Sequence, residues 1–84
     1  MKLDLYIGIP ADIDEVTEKK LISVINMRHP DAELHEIFKG YWSGVKESTI
    51  LVRVDSKLEF AQETVEIVKH LMVNGFVALE ASGQ

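Results

Sequence analysis

Few groups in this chain could do chemistry. His29, His35 and His70 are its three imidazoles. His35-Glu36 does not continue into the H-E-x-x-H spacing that puts two zinc ligands on one helix face. Glu66 and His70 stand one helical turn apart with Glu63 near them, which could hold a metal, but Glu59 and Gln62 share that stretch and make it a solvated helix face. Ser23, Ser43, Ser48, Ser56 and Ser82 lack the strand-turn-helix context of a nucleophile elbow. The five glycines are scattered and build no phosphate loop. The absence of cysteine excludes disulfides and thiolate metal sites. Carboxylates are plentiful, and no pair stands out as acid and base. The sequence thus assigns no catalytic residue, no metal ligand and no cofactor, and it leans away from an enzyme.

Binding chemistry is better represented. The segment Gly40–Thr49 holds the single tryptophan, two glycines, a tyrosine and a carboxylate. Aromatics supply contact area at little entropic cost, and glycine lets another backbone approach. Trp42 would give buried area, Gly44 close approach, and Glu47 or Arg53 orientation of a polar partner group. The competing reading makes Gly40 a bend and Trp42 a cap on the core.

The elements that position these residues follow from periodicity. Residues 2–9 alternate, with Leu3, Leu5, Ile7 and Ile9 on one face and Lys2, Asp4, Tyr6 and Gly8 on the other. Asp12 with Glu15 can cap a helix running from about Ile13 to Arg28, with Val16, Leu21, Val24, Ile25 and Met27 as its apolar face. His29-Pro30 stops it. Residues 33–42 form a second strand with muddled alternation. Leu34, Phe38 and Trp42 lie on one side, His35, Ile37, Lys39 and Tyr41 on the other, and Gly40 suggests a bulge. Ser43–Lys46 reads as a hairpin connection, and residues 48–54 alternate cleanly, with Ile50, Val52 and Val54 opposite Thr49, Leu51 and Arg53. Ser56 and Glu59 spell a capping box for a helix to about Val73, whose core side includes Phe60, Ala61, Val65, Val68, Leu71 and Met72. Asn74-Gly75 ends it. Phe76 to Ala81 is the last strand, and residues 81–84 read as a frayed tail.

Two strand-helix-strand units of this size interlock as a single domain over residues 1–84. The expected fold is α+β, a ferredoxin-like β-α-β-β-α-β sandwich. Its four-stranded antiparallel sheet has order 4-1-3-2, with both helices on one face. The other face stays open and carries Tyr6, Gly8, His35, Ile37, Lys39, Tyr41, Leu51 and Arg53. An apolar-leaning exposed face on a small domain marks an interface.

Two resemblances bear on that face. Leu5-Tyr6-Ile7-Gly8-Ile9 looks like the first-strand motif of RNA-recognition-motif domains, in which an aromatic stacks on a base. The third strand, Lys46–Val54, lacks the glycine and aromatics of the second motif, so Tyr6 reads as an interface residue. Gly40-x-Trp42-x-Gly44-x-x-Glu47-x-Thr49-x-Leu51 resembles the hairpin of small, uncharacterised ferredoxin-like proteins from bacteria and phages. That resemblance implies the fold and a mobile-element origin, and no activity.

The formal charge of −5 over 84 residues opposes nucleic-acid binding, which needs cations to displace phosphate counterions. No run approaches membrane-spanning length, and no signal peptide is visible, so a cytoplasmic place is expected. A domain this short, without staples, gains from a partner subunit. The reading is a small binding module for protein–protein interaction, with self-association and inhibition of a partner within its scope. The binding residues are Tyr6, Ile37, Tyr41, Trp42, Gly44, Glu47, Leu51 and Arg53. Two alternatives remain open: a small-molecule or nucleotide binder with its ligand at a dimer interface, and a small enzyme with a subunit-interface site.

Overall fold

In the computed structural model the chain runs β1 (Lys2–Pro10), α1 (Glu15–Arg28), β2 (Glu33–Trp42), β3 (Val45–Asp55), α2 (Leu58–Leu71) and β4 (Phe76–Ala81). Ser43, Gly44 and Gln84 lie outside the described residues, as do the side chains of residues 38–47. The strands form one antiparallel sheet in the order β2-β3-β1-β4, which is the expected order read from the other edge.

The alternation of β1 and β3 decides what lies inside. Leu3, Leu5 and Ile7 pair across the sheet with Val54, Val52 and Ile50. With Leu21 and Ile25 of α1 and Ala61, Val65 and Val68 of α2 they form one core, Ile50 partly buried against it and the others buried. Each large aliphatic side chain sealed there contributes about 1.5–3 kcal/mol relative to exposure.

The helices depart from expectation at their starts and along one face. Asp14, not Asp12, caps α1. Its carboxylate accepts from the Thr17 backbone N–H at 2.7 Å and from the Thr17 hydroxyl at 2.9 Å. The first of these bonds leads in holding the Asp14 carboxyl below its ordinary range. Asp12 is displaced because the turn closed by Ile13 N–H on the Pro10 carbonyl takes up the intervening residues. At α2, Lys57 occupies the cap position without a side-chain bond, and the Ser56 hydroxyl donates to the Lys57 carbonyl instead. Val16 and Met27, expected inside, are 76% and 77% exposed. At about 100° per residue, each falls far around the helix from Leu21 and Ile25. Phe60 is partly exposed as well, because it turns toward the end of α1, against Arg28 and His29, rather than into the sheet.

The muddled alternation of β2 has a structural cause. Its register with β3 shifts between Glu36 and Phe38. A single even-odd assignment therefore does not run from His35 through Ile37 to Tyr41. Among the described residues no helix is long and apolar enough to cross a membrane.

Candidate interface on the open sheet face

The even residues of β1 stand on the sheet face turned away from the helices, and register groups them with their neighbours into cross-strand rows. The first row is charged in every strand: Glu33 beside Arg53, Arg53 beside Asp4, Asp4 beside Glu80. Arg53 Nε donates to Asp4 Oδ1 at 3.0 Å. Asp4 is only 4% exposed. A buried carboxylate persists only with a partner of opposite sign, and the fixed planar guanidinium is suited to that task. The bond to Asp4 leads in pushing the Arg53 guanidinium further toward its charged form.

The second row is His35, Leu51, Tyr6 and Ala78. Leu51 is buried on this face, outside the main core. Tyr6 is half-buried. Burial raises its phenol above the ordinary value, and the charge and hydrogen bonding of Glu80 raise it further. The group is therefore a neutral donor at physiological pH. His35 Nε2 lies 3.4 Å from Glu33 Oε2.

The third row brings Thr49, Gly8 and Phe76 together. A β-carbon on Gly8 would fall inside the Phe76 ring. Glycine leaves room here for the aromatic to lie across the strand, and the ring in turn covers bare backbone. Phe76 remains 53% exposed.

A second cluster joins the helices. Arg28 Nε donates to Thr64 Oγ1 at 2.8 Å and its Nη2 to the Phe60 carbonyl at 3.1 Å, while its guanidinium stacks 4.0 Å over the Phe60 ring. The Thr64 hydroxyl donates to that same carbonyl at 3.1 Å. Its hydrogen is thereby committed, so buried His29, whose Nε2 is 2.8 Å from Thr64 Oγ1, is assigned as the Nε2–H donor. Desolvation first, then the Arg28 charge, lower the His29 pKa from 6.5. Among the described residues no buried side-chain nitrogen or oxygen lacks a partner, and the cluster clasps the end of α1 to α2.

Of the residues singled out in the sequence, Tyr6, Leu51 and Arg53 are adjacent on this face. Leu51 is more buried than an open-face position leads one to expect. Ile37 is 48% exposed and falls within the register shift of β2. By backbone register Tyr41 pairs with Lys46, Trp42 with Val45 and Glu47 with Gly40. The side chains of Tyr41, Trp42 and Glu47 lie outside the described residues, and Gly44 does so altogether. Sequence reasoning misses Asp4, Glu80 and Phe76. Asp4 and Glu80 look like ordinary surface acids, and only register shows one carboxylate wedged beside the other. Gly8 in an otherwise regular strand is the available signal for Phe76.

No protein-family model matches the chain, and no curated protein does. Solved structures share its fold. The de novo designed protein Foldit4 matches with a TM-score of 0.66 and 20% identity, over 100% of this chain and 99% of that one. The periplasmic divalent cation tolerance protein CutA from Archaeoglobus fulgidus matches at 0.59 and 13% identity, over 100% and 86%. The hypothetical protein ORF119 from Sulfolobus islandicus rod-shaped virus 1 matches at 0.54 and 17% identity, over 94% and 65%. At these identities the likeness defines the class, a ferredoxin-like α+β sandwich, and goes no further.

Proposed function

We propose that the protein is a non-enzymatic binding module that engages a protein partner through its open sheet face and that also self-associates. One observation carries this reading. A row of charges crosses all four strands and borders an apolar strip made of Leu51, Tyr6, Ala78 and Phe76. Interfaces favour an apolar centre with a polar rim, and anchored aromatics contribute most of their energy. With a chain charge of −5, the complementary partner is a protein surface that is apolar at its centre and basic at its rim. Trp42, Gly44 and Glu47 of the hairpin extend the proposed contact, with Ile37 at its border. The cation tolerance for which the Archaeoglobus protein is named is not carried over: among the described residues no three His, Asp or Glu are gathered to hold a metal ion.

The test compares captures from the native cell by the wild type, Tyr6→Lys and Lys20→Ala. The reading expects a protein that the wild type and Lys20→Ala retain, that Tyr6→Lys loses, and that added salt releases. Trp42→Ala should weaken the same contact roughly thirtyfold, equivalent to about 2 kcal/mol. Retention by Tyr6→Lys would overturn the assignment of the face. So would stabilisation of the wild type by a metabolite or nucleotide that Tyr6→Lys abolishes, with no protein captured; that result favours the small-molecule alternative.

A further inference from the structure

β4 is an edge strand, hydrogen-bonded to β1 alone. The Ser82 N–H donates to the Lys2 carbonyl at 3.0 Å. In antiparallel pairs, hydrogen-bonded and non-hydrogen-bonded positions alternate. With the regular register of β1 and β4, Asp4 with Glu80, Tyr6 with Ala78 and Gly8 with Phe76 are therefore the bonded pairs. The N–H and C=O groups of Val77, Leu79 and Ala81 point outward from the sheet. Among the described residues nothing meets them. The side chains of the same three residues turn to the helix side. There they join Leu3, Leu58 and Val65 in lining an open cleft of about 720 Å³ between β4 and α2.

The two edges of the sheet are guarded differently. β2 carries a register shift and the polar side chains of Glu33, His35 and Glu36. Bulges and charges of this kind deter strand addition. β4, Phe-Val-Ala-Leu-Glu-Ala, has six regular pairs, no proline, no lysine and no bulge. Its one charge, Glu80, belongs to the open face. An unguarded edge whose outward backbone groups and inward apolar side chains come from the same residues is built to be paired.

We propose that β4 pairs antiparallel with β4 of a second copy. The occupant follows from self-complementarity. An antiparallel β4 offers outward N–H and C=O groups from the same alternate residues, and it brings Val77 and Leu79 to the same helix side, where the two clefts abut. A two-fold axis perpendicular to the strands produces this contact and closes it at two subunits. The product is one eight-stranded sheet with all helices on one side. Both open faces then lie side by side on the other, with Phe76 and Ala78 of each copy flanking the seam. The joint platform rests on the binding reading above, whereas the seam stands without it.

Sedimentation velocity across the micromolar range, with residue-resolved amide exchange, tests the seam. The wild type should be a dimer with protected amides at Val77, Leu79 and Ala81. Val77→Lys places a charge at the seam and should weaken the dimer at least about tenfold. Ala81→Pro removes one outward N–H without touching a β1 bond and should act in the same direction. Both variants should keep a cooperative melt, and Tyr6→Lys should remain dimeric. A monomeric wild type would overturn the proposal, as would fast exchange at Val77 and Leu79 in a dimer. A dimer lost in Tyr6→Lys but retained in Val77→Lys would also overturn it and place the contact on the open face. Loss of partner capture with the seam intact counts against the binding reading alone.

Discussion

Leu51 and Val52 are consecutive in β3, both are buried, and they belong to opposite faces of one sheet. Val52 is sealed under two helices among aliphatic side chains. Leu51 lies outside that core, in register with Tyr6 and His35 and next to a charged row. Burial on the two faces thus rests on different physics. The helix face excludes water by close packing, where a misplaced charge has no escape. The open face hides its inner groups under side chains that lie across the strands and can move aside.

Substitutions on the two faces put this contrast at risk. The largest effect is expected from Val52→Asp. An unpaired carboxylate in that core costs several kcal/mol, of the order of a small domain's whole stability of about 5 kcal/mol, so the variant should not fold. Leu51→Asp, one residue along, should melt cooperatively at reduced temperature because its carboxylate reaches water. Circular dichroism on the pair decides the matter, and equal collapse of both would erase the distinction between faces.

Asp4→Ala comes next. It removes a partner of Arg53 from beneath the face, and a melting temperature lower by about 5 °C or more is expected. Asp4→Ala combined with Arg53→Leu should recover part of that loss, since an ion pair replaced by apolar groups is often close to neutral. No recovery in the double variant would show that the pair contributes specific geometry.

On the helix side the contrast predicts a pH dependence. The folded state holds His29 below its unfolded pKa of 6.5. As pH falls through 6.5 the unfolded chain takes up the proton first, so stability is lost from there down to the lower folded pKa. The slope reaches at most about 1.4 kcal/mol per pH unit from this one group. Denaturant melts between pH 7.5 and about 5 should show the loss, and His29→Gln should flatten it. An unchanged slope in that variant would assign the loss elsewhere.

The smallest effect is expected at Gly8→Ala. The added methyl must displace the Phe76 ring, but that ring lies at the surface and can swing outward, for under about 1 kcal/mol. Phe76→Ala in the same background should remove the penalty, because the two groups then no longer compete for one space.

The elements β1, β3 and α2 and the strand order are legible in the sequence because period-2 and helical patterns report directly on which side is apolar. Leu5, Ile7, Val52, Val65 and Val68 fall on those apolar sides and are buried. The pattern of β2 is unreadable for a matching reason: one inserted residue near Ile37 reverses the alternation beyond it. Local spacing points to Asp12 as the helix cap because it does not reveal how many residues a turn consumes. Val16 and Met27 look like core residues because hydrophobicity alone does not fix rotation about the helix axis. The candidate face is only half legible. Parity places Tyr6, Leu51 and Arg53, but Asp4 meets Arg53 and Glu80 only once distant strands are set in register. The outward groups of Val77, Leu79 and Ala81 likewise follow from which pairs are hydrogen-bonded, and no residue type encodes that.

The strand order also governs how the chain is made. β1 is synthesised first, yet both strands that flank it come much later in the sequence. Translation at about 5–20 residues per second leaves Leu3, Leu5, Ile7 and Ile9 waiting several seconds for β3, and β1's other side waiting longer for residues 76–81. Only β2 and β3 can zip up locally. A strand buried along most of its length is therefore also the one longest unaccompanied at the ribosome, a window in which a chaperone or slow translation would have its greatest effect on yield.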